Sequence, residues 1–314
     1  MPAVSTRHRF INLVQSALLL GLMAMIAWVS MTAVVGAEVG LLLAFGMVAG
    51  LIFVPNLPQD FLLSAYQAER ITGRDAPGLV AGIAELARRA DLPRAPKLYR
   101  VSSPLPNAFA MGSPEDSTIC VTDGLLQLLD GRELVGVLAH EVGHIANRDL
   151  WIMGLADMMS RLVSIASWLG QFLLLLNLPL IFAGAVYVPW HIVALLIFAP
   201  TLMALVQLGL SRTREYDADR AAAELTGDPE GLMRALSKLE RRVGRFWEEI
   251  FLPGRRIPEP SLLRTHPSTE SRIARLRELT ALATPQYPTI TGMSYKPRLP
   301  SFLPPKFRRH GVYW

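Results

Sequence analysis

Apolar residues in this chain gather into a few long runs free of charge, separated by amphipathic stretches. The first run covers about Phe10 to Val35 and the second about Val39 to Val54. Each is close to the length that a hydrocarbon core demands, the second a little short. Leu162 to Ser211 then holds no Asp, Glu, Lys or Arg, and divides at Asn177-Leu178-Pro179 and near Pro189-Trp190-His191. This predicts helices at about 162–184 and 191–210, with a kink at Pro200. Charge-free length on this scale is too great to hide inside a core this small, so the pattern predicts about four transmembrane helices. The first run is too long for a cleavable signal peptide and lacks a small-x-small exit, so it reads as a retained anchor.

Between the membrane runs the periodicity changes. Leu79, Ile83, Leu86 and Ala87 recur at helical spacing within Pro77 to Ala90. Leu98 to Val101, Asn107 to Gly112 and Thr118 to Val121 read as three short strands with turn residues between them. Leu125 to Leu129 starts a short helix, and Glu133 to Arg148 a longer one. Gly143 inside that helix costs about 1 kcal/mol against alanine and hints at a second backbone passing close by. Further on, Asp228-Pro229 looks like a cap and first helical position, and Ser268 to Leu282 forms another amphipathic helix. The expected organisation is an N-terminal transmembrane hairpin (1–55), a folded part (56–161), a second transmembrane hairpin (162–210), a second folded part (211–284) and a proline-rich basic tail (285–314). The fold class is an α+β membrane protein, mostly helical with a small three-stranded sheet.

Composition agrees with this. Of the 314 residues 51% are hydrophobic, and the mean hydropathy is +0.32. The net charge of +5 comes mostly from arginine. Arg7 and Arg9 precede the first run, whereas the turn at Gly36-Ala37-Glu38 has no basic residue. Arg148, Arg161, Arg212 and Arg214 flank the second hairpin. The positive-inside rule therefore places both termini and the folded parts in the cytoplasm. A single cysteine, Cys120, fits a reducing compartment and falls in a strand-like stretch. The basic residues are scattered with no stacking motif, which argues against nucleic acid. No Gly-Lys pair occurs, so there is no Walker loop for ATP.

The chemistry concentrates at His140-Glu141-Val142-Gly143-His144. Residues four apart share a helix face, so both imidazoles can meet one metal ion. Glu141 then faces the open coordination position, placed to take a proton from water. A zinc ion in a hydrolytic site takes three protein ligands. The longer metzincin motif would need a histidine where Leu150 stands. Between Glu141 and Glu215 the only carboxylates are Asp149 and Asp157. On a continuous helix Asp149 is rotated about 140° off the histidine face. Glu215 is thus the best third ligand, and Asp219, one turn later, suits the free N–H of a bound imidazole.

Several motifs in one order resemble the HtpX-like membrane zinc metalloproteases, relatives of the CAAX prenyl proteases. These are Pro106 to Gly112, His140 to Asp149, Ser211 to Asp219 and Thr265-His266-Pro267, spanning roughly residues 10 to 280. The resemblance implies a gluzincin-type domain with one Zn2+ per chain, bound by His140, His144 and Glu215, and Glu141 as general base. It makes Asn107, Ala108, Phe109 and Ala110 a substrate-binding strand, and His266 with Arg272 the pair that steadies the oxyanion. It further implies an endopeptidase of a bacterial-type cytoplasmic (inner) membrane, acting on membrane or misfolded polypeptides in stress response and protein quality control.

Other readings are a processing peptidase with one dedicated substrate, such as a lipidated tail, and a membrane scaffold with a structural metal. Glu141 counts against the scaffold, since a structural site has no use for a base there. A transporter fits poorly, because the spans hold almost no charge for an ion relay.

Overall fold

The computed structural model describes residues 3–36, 59–185, 189–250 and 269–282. The second apolar run, His266 and the basic tail lie outside the described residues. Three described helices are long and apolar enough to cross a membrane. They belong to α1 (Ala3–Val35), α6 (Asp149–Leu176) and α8 (Trp190–Thr226). The three pack together through Met23, Ile26, Ala27, Ala156, Met159, Val163, Ala199 and Met203. Their outer faces carry Leu18, Met25, Trp28, Trp168, Phe172, Phe198 and Leu205, all exposed. Bare side chains of this size, in bands around apolar helices, mark a surface whose solvent is lipid.

Two helix boundaries depart from the expected ones. α6 begins at Asp149 rather than near 162, and α8 continues to Thr226, far past 210. At these two boundaries the chain leaves the apolar zone without leaving the helix, so no linker separates span from folded part there. The expected break at Asn177 is present: α6 ends there and a short α7 (Leu178–Phe182) follows. Pro200 lies inside α8.

Between α1 and α6 come α2 (Gln59–Ala65), β1 (Glu69–Ile71), α3 (Pro77–Arg89), β2 (Lys97–Val101), β3 (Ala108–Ser113), β4 (Asp116–Thr122), α4 (Asp123–Leu128) and α5 (Gly131–Ala146). The sheet has four strands in the order β1-β2-β4-β3, one more than expected. β1 leaves no hydrophobic pattern, being three residues long with two of them exposed. β2 and β4 run parallel; the other pairs are antiparallel. Alternation splits β3 between two cores. Ala108 and Ala110 face the main core, whereas Phe109 and Met111 join Leu63, Val101 and Cys120. Burial pushes the Cys120 thiol up to about 12, which removes it as a nucleophile.

Helix α5 is buried almost all round, from Glu133 to Ile145. Its start is set by a reciprocal cap. The Glu133 amide donates to Asp130 Oδ1 at 2.9 Å, and the Asp130 amide donates to Glu133 Oε2 at 2.9 Å. Lys238 Nζ, on α9 (Pro229–Ile250), donates to the same glutamate at 2.6 Å. Gly143 confirms the close approach that its sequence position hinted at. A Cβ there would stand 3.0 Å from Ala221 Cβ and 3.3 Å from the Ala218 carbonyl oxygen, both on α8. The missing side chain lets α8 lie tightly against α5. The last described helix, α10 (Thr269–Leu282), packs on α8 and α9.

Candidate metal centre

Helix periodicity sets His140 and His144 side by side on α5, with ring centroids 4.6 Å apart at 86°. The Gly143 contact brings α8 alongside, and Glu215 faces the pair. Nε2 of His140 and Nε2 of His144 are 3.1 Å apart. Glu215 Oε2 lies 3.4 Å from the first and Glu215 Oε1 3.5 Å from the second. These three side chains are the group, among the described residues, that could hold a metal ion, and all three are buried.

The partners behind the rings decide what those nitrogens are. His140 Nδ1 lies 3.1 Å from Asp219 Oδ1, and His144 Nδ1 donates to Asp149 Oδ2 at 2.9 Å. Ionised carboxylates only accept, so in the neutral imidazoles each Nδ1 carries hydrogen and each Nε2 presents a lone pair. Two lone pairs and a carboxylate then converge on one point, which is unfavourable without a cation among them. Ligands of a tetrahedral zinc at about 2.0–2.1 Å stand roughly 3.3–3.4 Å from one another. The imidazole nitrogens at 3.1 Å, with one Glu215 oxygen within 3.5 Å of each, leave room for such an ion between the three side chains.

Electrostatics point the same way. Burial disfavours the charged form of both imidazoles. Asp219 and Glu215 beside His140, and Asp149 and Glu215 beside His144, outweigh it and hold both above the ordinary histidine value. The site thus favours positive charge at its centre. Burial pushes the Glu141 carboxyl up, with His140 and His144 acting in the opposite sense. The Ala110 backbone also touches this carboxylate, which puts the edge of β3 beside the candidate base.

Asp219 lies one turn beyond Glu215 on α8, behind the His140 ring. Arg272 reaches the centre from α10: its Nε donates to Asp219 Oδ2 at 2.7 Å, and its Nη1 lies 3.3 Å from Glu215 Oε2. It therefore braces Glu215 and the partner of His140. The hydroxyl of Tyr216, the residue after Glu215, donates to Ser271 Oγ at 3.1 Å. Asn107 precedes β3, where its amide donates to Thr122 Oγ1 at 2.8 Å. Phe109 packs on Tyr66, on the far face of the sheet.

Asp149 is the correction. Sequence geometry turned it away from the histidines because it assumed one continuous helix. The helix stops at Ala146, and Arg148 takes a left-handed conformation with φ 57°, so the chain turns and Asp149 opens α6. That turn swings the carboxylate back onto His144. Asp157 is exposed and pairs with Arg161 at 2.7 Å, away from the centre.

Comparison with known proteins gives a consistent family. The model for peptidase family M48 matches residues 74–280. The chain is 37% identical over 288 residues to "Protease HtpX homolog" of Acaryochloris marina (strain MBIC 11017), covering 85% of this chain and 94% of the relative. It is also 37% identical over 263 residues to "Protease HtpX homolog" of Aquifex aeolicus (strain VF5), covering 78% and 86%. The crystal structure of S. mikatae Ste24p superposes with a TM-score of 0.46 at 19% identity, covering 86% of this chain and 66% of that one, a likeness too distant to bear on mechanism. A family match across two thirds of the sequence, relatives that align over most of its length, and helices long and apolar enough to cross a bilayer lead to one conclusion: this chain belongs to peptidase family M48 and is an integral-membrane metalloprotease.

Proposed function

We propose that the protein is a zinc-dependent endopeptidase that cuts polypeptides beside the membrane surface, on the cytoplasmic face of a bacterial-type inner membrane, in protein quality control. The observation that carries this reading is the convergence of three buried side chains, from two separate helices, with polar atoms 3.1 to 3.5 Å apart beside Glu141. His140, His144 and Glu215 would hold the ion. When bound, it supplies Lewis acidity toward the scissile carbonyl and toward water. Asp219 and Asp149 keep each Nδ1 protonated, so that both Nε2 lone pairs stay turned inward. Glu141 takes the proton of the attacking water and passes it to the departing amine, a task that suits a carboxyl raised by burial.

Substrate would lie along β3. This strand closes one side of the sheet, and its Ala110 backbone is at Glu141. An extended peptide pairing with that edge would present its backbone to the base. His266 would donate to the oxyanion; it stands six residues before Arg272, which is anchored at the centre. The proposal of a membrane-surface site is supported by α8. Glu215 follows Leu210 by five residues on one unbroken helix, a rise of about 7.5 Å. The cytoplasmic face is supported by the basic residues that flank the spans.

The test is digestion by the protein reconstituted in zinc-containing liposomes. An unrelated, unfolded membrane protein should be cut at several positions. Cleavage at one position of one protein would instead favour a dedicated processing peptidase. Failure to cut any polypeptide would overturn the proposal.

A further inference from the structure

Nothing in the family match, which begins at residue 74, gives the first membrane helix a role in catalysis. The packing around Arg214 links that helix to the metal centre. This arginine immediately precedes Glu215 on α8 and is buried. Its Nη2 donates to Ser16 Oγ on α1 at 2.7 Å, and its Nη1 donates to Asp149 Oδ1 at 3.3 Å. Nη2 also lies 3.0 Å from Asp217 Oδ2. The other oxygen of Asp149 accepts from His144 Nδ1. Ser16 is itself buried, within the apolar stretch Leu13–Val34.

We infer that α1 is a working part of the metal centre: Ser16, acting through Arg214 and Asp149, positions His144. The three membrane helices meet at this arginine, since Ser16 belongs to α1, Asp149 opens α6 and Arg214 sits on α8. A buried guanidinium must be paired, and its rigid fork can serve acceptors on two helices at once. Asp149 bonded to His144 alone could still rotate its carboxylate plane. With its second oxygen tied to Arg214, and Arg214 tied to α1, the imidazole orientation follows from how α1 seats against α8. Ser16 and Arg214 are thus positioning residues for the ligand, an inference that rests on the proposed function.

The experiment measures zinc affinity by chelator competition on the full chain in detergent. Arg214→Met should weaken binding roughly 10- to 100-fold, the usual cost of losing an outer partner of a ligand. Arg214→Lys should fall between it and wild type, because a lysine is a point charge without the fork. Ser16→Ala should weaken binding roughly several-fold, whereas Ser30→Ala, a buried serine elsewhere on α1, should leave it unchanged. Ser16→Ala should add nothing once Asp149 is already Asn, because the path is then cut. Wild-type affinity in both Ser16→Ala and Arg214→Lys would overturn the inference. So would a Ser16→Ala effect that persists undiminished in the Asp149→Asn background. A wild-type chain that takes up no zinc would remove the proposed function itself, and this inference with it.

Discussion

Glu141→Gln is expected to keep its zinc and lose its peptidase activity. The amide matches the carboxylate in volume, so the packing of α5 against α8 should survive. It cannot accept a proton from water, and the step that depends on this transfer should slow by about 10²- to 10⁴-fold. Glu141 is not among the three converging ligands, so metal content should stay at the wild-type level. Casein digestion together with elemental analysis of the same sample checks both halves. Loss of zinc along with activity would mean that Glu141 shapes the site rather than moving the proton.

Arg272→Met should be the most damaging change to stability among the residues at the centre. The guanidinium is buried and bonded through two nitrogens to Asp219, with a third facing Glu215. Burial works against its charge, but Asp219 and Glu215 more than compensate and raise its pKa further, so it stays protonated at every working pH. Methionine fills similar space yet leaves two buried carboxylates without their cation, a loss of about 3–5 kcal/mol. Thermal unfolding in detergent should show a marked drop in midpoint, and zinc affinity should fall as Glu215 and the partner of His140 both loosen. Arg272→Lys should recover part of each. A midpoint unchanged in Arg272→Met would contradict the bracing role.

Much of the centre was legible in the sequence because it depends on helix periodicity. His140 and His144 four apart, and Glu215 and Asp219 four apart, needed only 3.6 residues per turn to share their faces. Glu215 emerged by elimination, since charge-free membrane helices leave few carboxylates to choose from. What escaped depended on tertiary structure. Asp149 escapes the pattern because the break at Asn147-Arg148 is signalled only by an asparagine, a weaker helix stop than glycine or proline, and a left-handed arginine is uncommon. Arg214 reads as one more arginine flanking the second hairpin, beside Arg212. Of that pair Arg212 is exposed and Arg214 buried, a difference decided by where α1 packs. Hairpin boundaries at 162 and 210 followed the edges of the apolar runs, whereas the helices pass through both. Hydropathy reports the solvent around a helix and says little about where its hydrogen bonds end.

The central claim is that two helices from distant parts of the chain complete one metal site through Glu215. Zinc binding by the purified full-length protein, wild type against Glu215→Ala, tests it most directly. The wild type should bind one ion per chain. Glu215→Ala should bind it more weakly by more than the roughly 10- to 100-fold that loss of an outer partner costs. Equal zinc affinity in the two proteins would contradict the account.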